Sequence, residues 1–159
     1  MPSLVVNKKI SASPEATFDT LTVSARYPEY TPVRAVELEQ EGEGVADGVG
    51  AIRVQAVAGP PLRERVLVHD RPRLFEFEVL SGLPGVASYH GRQTFTDEGD
   101  GTRVNYEVEF EPTRRGMGFA VSATLRAAIE SLMLLASREA PKRAAEQASR
   151  GAGPPDASA

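Results

Sequence analysis

The chain has 159 residues, which is enough for one domain with a sizeable core and too few for two ordinary domains. Hydrophobic residues make up 41% and charged residues 25%, with a net charge of -4, so the composition is that of a globular protein and not of a disordered or fibrous one. Lysine and arginine are scattered among acidic residues, which excludes a nucleic-acid partner, and the absence of cysteine excludes disulfides and thiolate metal sites.

The N-terminal residues lack a basic region followed by a long apolar run, which a secretory signal would require. No segment approaches the about 18 consecutive apolar residues of a transmembrane helix. We therefore expect a cytoplasmic protein without a membrane span.

A short strand and a helix open the chain. Residues 4–10 are rich in β-branched side chains, and Ser13 followed by Pro14 and Glu15 is a good helix start. Serine caps helices, proline fits the first helical position, and a carboxylate in the first turn suits the helix dipole. Pro28 stops or redirects this helix, and we expect a small second helical turn there.

From residue 33 onward the hydrophobic period is two, which predicts β-strands. The predicted strands cover residues 33–41, 51–57, 62–70, 73–80, 86–96 and 102–111. The last strand is the clearest, because Val104, Tyr106, Val108 and Phe110 alternate with polar residues. We expect one face of the sheet to be buried and the other to be wet.

A long amphipathic helix is predicted after Gly116, because apolar residues recur there at three- and four-residue spacing. At the helical rise, about 23 residues would run about 35 Å, which crosses a small domain. We expect Pro141 to end or kink this helix. The domain would then cover residues 1–140, and residues 141–159 would form a frayed helix end and a disordered tail.

The order of these elements predicts an α+β fold in which the long helix lies along a curved antiparallel sheet. Such a helix closes the core at its ends and leaves a hollow in the middle, where a small, mostly hydrophobic molecule can bind. The residues that we expect to line this hollow and to bind the ligand point inward from the strands and the helix. They are Arg53, Glu64, Phe77, Val79, Tyr89, Gln93, Tyr106, Val108, Val121, Leu125, Ile129 and Met133.

The polar residues in this set have two interpretations. Arg53 and Glu64, on adjacent strands, either pair with each other at the sheet surface or orient a ligand, since a polar group in an apolar pocket needs a partner. A slip of one residue in strand register would exchange the inward and outward residues, which affects Gln93 as well. Gly91 either leaves room in the pocket or permits a bend in its strand.

No constellation of residues identifies a reaction. The two histidines, His69 and His90, lack partners at metal-ligand spacing, and the acidic turn at residues 97–101 lacks the ligand pattern of an EF-hand. No Gly-x-Ser-x-Gly nucleophile elbow is present. We predict no metal site and no cofactor, and we assign no catalytic residue.

Two longer segments carry a family resemblance. Residues 65–82 form a strand, an Asp-x-Pro turn and a second strand, and residues 89–110 form a hairpin with an acidic, glycine-containing turn. Both segments, together with residues 10–18 and 27–30, resemble the START-like superfamily (SRPBCC) in its polyketide cyclase/dehydrase branch. The resemblance implies a helix-grip fold, in which a seven-stranded antiparallel sheet wraps around a long C-terminal helix, with two short helices after the first strand and a hydrophobic cavity.

Members of that superfamily include lipid and hormone binders, aromatase/cyclases and proteins without an assigned activity, so the resemblance implies no catalytic set. Our first hypothesis is a binding protein for a lipid, a polyketide or an aromatic metabolite. The alternative is a polyketide cyclase, aromatase or dehydratase in which Glu64, Tyr106 or Arg53 moves protons. A third class is an interaction domain with a closed cavity that forms a homodimer through a sheet edge or the helix face.

Overall fold

The computed structural model describes residues 2–152, which form one antiparallel sheet, two α-helices and a short 3-10 helix. The strands are β1 (Ser3–Ile10), β2 (Ala35–Gln40), β3 (Ile52–Ala56), β4 (Leu62–Asp70), β5 (Leu74–Ser81), β6 (Val86–Asp97) and β7 (Thr102–Pro112). The helices are α1 (Pro14–Thr22), the 3-10 helix (Ser24–Glu29) and α2 (Gly118–Ala152). The predicted α+β fold is confirmed, with a long C-terminal helix, a seven-stranded antiparallel sheet and two short helices after the first strand.

The sheet has the order β1-β7-β6-β5-β4-β3-β2, so the first and last strands of the chain are neighbours. Val6 of β1 lies opposite Tyr106 of β7. The alternation predicted for β7 is confirmed, because its inward side chains are at most 3% exposed: Val104, Tyr106, Val108 and Phe110. These side chains form the floor of the core, against which the helices pack.

The entry into α1 follows the predicted pattern. Ser13 has extended backbone angles, and its Oγ accepts a hydrogen bond from the Ala16 backbone nitrogen at 3.2 Å. This bond satisfies one of the free amide groups of the first turn. Phe18 and Leu21 of α1 are buried in the core. The chain then turns into the 3-10 helix that contains Pro28, where the second helical turn is predicted.

The helix α2 is longer than predicted, because it continues through Pro141 to Ala152 and spans 35 residues. Proline removes one helical hydrogen bond, but tertiary contacts made by the residues after it hold the helix in place. Gln147 Nε2 donates to Asp19 Oδ2 of α1 at 2.8 Å, and Arg26 Nη1 donates to Glu146 Oε2 at 3.0 Å. The helix therefore does not end at Pro141, and a kink at this residue stays a prediction. Residues 153–159 of the predicted tail lie outside the described residues, and the tail stays a prediction.

The N-terminal half of α2 is unusually apolar, with a mean hydropathy of 1.5 over 18 residues, a value that would also suit a membrane-spanning helix. One side of it belongs to the hydrophobic core through Leu125, Ile129 and Met133, as in a core helix of a soluble protein. The other side faces outward, and Phe119 is 89% exposed. The helix is therefore a core element whose outward side is also apolar and partly exposed to solvent.

Candidate functional site

The inner face of the sheet, the segment after the 3-10 helix and one side of α2 line a cavity of about 390 Å³. This volume lies within the range of small-molecule sites in proteins. Most of the residues predicted for the hollow line it: Arg53, Glu64, Phe77, Val79, Tyr89, Gln93, Tyr106, Leu125 and Ile129. The strand register that these assignments require is the observed one, since Arg53 lies opposite Glu64 and Gln93 lies opposite Tyr106.

Three of the predicted residues do not line the cavity, which corrects the expected pocket wall. Val108 and Met133 are each 1% exposed and are packed within the core. Met133 packs in the hydrophobic core together with the fully buried Ala136. Val121 lies one helical turn before Leu125, beside Gly85, and is beyond the end of the cavity.

Several lining residues were not predicted from the sequence, including Tyr27, Gln55 and the exposed residues Pro32 and Ala128. Gln55 follows Arg53 by two positions on β3 and therefore shares its face, so the period of the strand could have found it. Tyr27 and Pro32 lie in and after the 3-10 helix, where no regular period assigns a direction.

A buried ionic cluster forms one wall of the cavity, centred on Arg53, which is 2% exposed. Its Nη2 donates to Glu64 Oε1 at 2.9 Å, and its Nη1 donates to the Thr22 carbonyl at 3.0 Å and approaches Asp47 Oδ1 at 3.4 Å. Gln55 Nε2 also donates to Glu64 Oε1. Arg53 and Glu64 thus pair with each other, as one interpretation held, but inside the protein and not at its surface.

Two carboxylates balance the charge of Arg53, because a contact with Ser24 holds Asp47 beside it in addition to Glu64. Asp47 Oδ2 accepts a hydrogen bond from the Ser24 backbone nitrogen at 3.2 Å, and Oδ1 accepts one from the Ser24 hydroxyl. Two carboxylates therefore surround one guanidinium in a region shielded from water. This arrangement leaves Arg53 with little attraction for an anionic ligand.

A pair of tyrosines forms a second polar element of the cavity wall. The hydroxyl oxygens of Tyr89 and Tyr106 lie 2.9 Å apart, and the ring of Phe77 packs against both tyrosine rings, at centroid distances of 5.9 and 6.3 Å. Burial raises the pKa of both tyrosine hydroxyls above the ordinary range. Both hydroxyls stay protonated at neutral pH and act as hydrogen-bond donors, not as bases.

Tyr27 has the same character beside the ionic cluster. Burial raises the pKa of its hydroxyl to about 12, although the neighbouring Arg53 acts in the opposite direction. This hydroxyl donates to the Leu21 carbonyl at 2.6 Å, so it is already engaged within the protein.

Gln93 is a polar lining residue whose side-chain oxygen has no partner among residues 2–152. It is 3% exposed, and its Oε1 accepts no hydrogen bond from any residue in the range 2–152. A buried acceptor without a donor costs free energy, so such a group normally has a water molecule or a ligand beside it.

The two histidines and the acidic turn lie apart from the cavity. His90 Nε2 contacts Glu76 Oε2 at 3.1 Å on the outer face of the sheet, and the ring of His69 packs edge-on against Phe18. Within residues 2–152, no three His, Asp or Glu side chains are grouped so that they could hold a metal ion.

Gly91 gives the ring of Phe77 its position in the cavity wall. A Cβ atom at Gly91 would lie 2.7 Å from Phe77 Cε1 and 2.8 Å from Phe77 Cζ, which is closer than carbon atoms approach in proteins. The glycine therefore leaves room for a neighbouring ring, which is the first of its two predicted roles.

Replacing Gly91 with alanine is expected to push Phe77 into the cavity and to lower the free energy of unfolding by about 1–3 kcal/mol, the usual cost of overpacking. Urea denaturation measures this change. Gly118→Ala is the matched control, because a Cβ there meets its nearest neighbour at an ordinary 3.7 Å. Equal stabilities of the two variants would contradict the packing role of Gly91.

Comparison with known proteins supports the architecture. Residues 1–136 match the model of a family described as polyketide cyclase / dehydrase and lipid transport. No curated protein sequence matches the chain. Among solved structures, a START superfamily protein from Mycobacterium smegmatis is similar with a TM-score of 0.76 and 12% identity, over 88% of this chain and 97% of that one.

Two enzymes have similar folds. The Zhui aromatase/cyclase from a Streptomyces species has a TM-score of 0.70 and 16% identity, over 89% of this chain and 94% of its own. A point mutant of norcoclaurine synthase from Thalictrum flavum, solved with a transition-state analogue, has a TM-score of 0.67 and 15% identity, with the same coverage. At these identities the similarity establishes the fold alone.

Proposed function

Since the chain belongs to the polyketide cyclase / dehydrase and lipid transport family, we propose that it binds a small, mostly hydrophobic molecule in the cavity between the sheet and α2. The observation that supports this most directly is the cavity of about 390 Å³, whose walls are mainly aliphatic and aromatic side chains. The ligand is a lipid, a polyketide or an aromatic metabolite that is bound in the cytoplasm.

Burial of apolar surface is sufficient for useful affinity in such a site. At about 25 cal/mol per Å², roughly 330 Å² of buried apolar surface corresponds to micromolar binding before the entropic cost of association. Pro32 and Ala128 line the cavity and are both exposed, so we take the mouth of the cavity to lie at these residues. A ligand can therefore enter without unfolding of the sheet.

Blocking this mouth is expected to weaken binding. Ala128→Trp places an indole over the cavity, and the affinity for the neutral fluorescent probe N-phenyl-1-naphthylamine should fall at least about tenfold, which corresponds to roughly 1.4 kcal/mol. Fluorescence titration measures the dissociation constant. The chain has no tryptophan of its own, so energy transfer from the new indole to bound probe gives a second reading.

Ala127→Trp is the matched control, because Ala127 is exposed on the same helix but does not line the cavity. Its affinity for the probe should equal that of the unmodified protein. Equal affinity in the Ala128 and Ala127 variants would place the binding site elsewhere and contradict the proposal.

The second candidate function is catalysis by a cyclase, aromatase or dehydratase in the same cavity. The observation that favours it is that Tyr106 and Glu64 both line the same largely apolar cavity, where a protonated hydroxyl can steady an enolate. A poly-β-keto thioester is the test substrate, and cyclised aromatic products are detected by mass spectrometry. Unchanged product formation in Tyr106→Phe would remove the tyrosine from any such mechanism.

The predicted homodimer stays a prediction, which sedimentation can test.

A further inference from the structure

We propose that the ligand is a neutral molecule with a hydroxyl group, and that this hydroxyl lies between Gln93 and the pair formed by Tyr89 and Tyr106. This inference rests on the proposed binding function and adds the polar chemistry of the ligand. It follows from the donors and acceptors that the cavity wall leaves unused.

In the pair formed by Tyr89 and Tyr106, one hydroxyl proton has no hydrogen-bond acceptor in the described part of the chain. Two hydroxyl groups 2.9 Å apart share one hydrogen bond, in which one oxygen donates and the other accepts. The proton of the accepting hydroxyl has no acceptor within residues 2–152. Both tyrosines line the cavity, so the free O–H can be satisfied there by a ligand acceptor.

Gln93 has the complementary unsatisfied group, a hydrogen-bond acceptor without a donor among the described residues. Its Oε1 is buried and needs a donor, and the residue lies opposite Tyr106 in the register of β6 and β7, on the same inner face. A hydroxyl group both accepts a hydrogen bond and donates one, so a single ligand hydroxyl can satisfy the tyrosine proton and the glutamine oxygen together. A ketone or an ether accepts only, and it would leave the Gln93 oxygen unpaired.

The charges around the cavity disfavour a carboxylate ligand. Arg53 is the cationic side chain of the cavity wall among the described residues, and Glu64 and Asp47 already balance its charge. Its Nε–H lacks a partner within residues 2–152, but it is a single donor beside the carboxylate of Glu64. A second carboxylate would face like charge in a poorly hydrated site, which costs free energy.

Three probes with one aromatic body test the inference: 2-naphthol, 2-methoxynaphthalene and 2-naphthoate. At pH 7, 2-naphthol should bind about tenfold more tightly than 2-methoxynaphthalene, because it makes the additional donor bond, and 2-naphthoate should bind most weakly. In the Gln93→Leu variant, the affinity for 2-naphthol should fall to the affinity for 2-methoxynaphthalene. Isothermal calorimetry measures all three dissociation constants.

The control variant is Thr94→Val, which changes the next residue of β6, on the opposite side of the sheet, and should keep the order of the three probes. Three results would overturn the inference while the binding function stands. They are equal affinities for 2-naphthol and 2-methoxynaphthalene, a higher affinity for 2-naphthoate than for 2-naphthol, and a preference for 2-naphthol that is kept in the Gln93→Leu variant. If none of the probes binds, and N-phenyl-1-naphthylamine does not bind either, the binding function fails together with the inference.

Discussion

Replacing Arg53 with methionine is expected to lower the free energy of unfolding by about 3–5 kcal/mol, the cost of breaking a buried ion pair by removing one partner. Methionine keeps the unbranched apolar stem of the side chain but lacks the guanidinium group, so it leaves Glu64 and Asp47 facing each other without a cation. Both carboxylates are almost fully buried, at 5% and 7% exposure, so water cannot replace the guanidinium. The stability is measured by urea denaturation with linear extrapolation.

Arg65→Met provides the matched control, since Arg65 follows Glu64 on β4 and pairs with Glu78 on the outer face, where the two side chains are 44% and 37% exposed. The loss there should be below about 1 kcal/mol. The double variant Arg53→Met with Glu64→Gln should recover part of the lost stability, because it removes one of the two unpaired charges. A loss in Arg53→Met no greater than that in Arg65→Met would show that the cluster is not a structural ion pair.

Pro141→Ala is expected to stabilise the protein by about 2 kcal/mol. Proline in a helix interior costs about 3 kcal/mol relative to alanine, and the greater freedom of the unfolded alanine chain offsets up to about 1 kcal/mol of the gain. The alanine amide can donate to the Ser137 carbonyl, and the exposed position of residue 141 means that no packing is lost. Thermal unfolding followed by circular dichroism measures the shift.

Lys142→Ala is the control, because Lys142 is the exposed neighbour in the same helical turn. Its effect should stay within about 0.5 kcal/mol, as for ordinary surface positions. If Pro141→Ala were neutral or destabilising, the contacts of Glu146 and Gln147 would depend on a bend that the proline provides.

The parts of the fold that the sequence predicted are those with a regular period and one dry face. The alternation from Val104 to Phe110 assigned β7 and its buried side, and Ser13 before Pro14 assigned the start of α1, because capping is a local interaction. The course of α2 beyond Pro141 was not predictable, since the contacts that hold it come from residues more than 100 positions away, such as Asp19.

The candidate site was predictable to the extent that strand period determines direction. Arg53 and Glu64 were placed as neighbours, but their burial depends on the end of α1 and the 3-10 helix, which fold over the sheet through the distant contacts of Thr22 with Arg53 and of Ser24 with Asp47. On α2 the apolar stripe is wide, so its period could not separate Ile129, which lines the cavity, from Met133, which packs in the core. Only the assembled structure shows where the core ends and the hollow begins.

The position of β1 beside β7 has a consequence for how the chain folds during synthesis. Ser3 pairs with Glu109 and Ile10 pairs with Thr102, so the first strand has no partner until almost the whole sheet has been translated. Closing such a long loop is entropically costly, and topologies dominated by distant contacts fold slowly. We therefore expect the hairpin of β6 and β7 to form early and β1 to dock late. Until then its apolar residues Leu4, Val6 and Ile10 are open to chaperones.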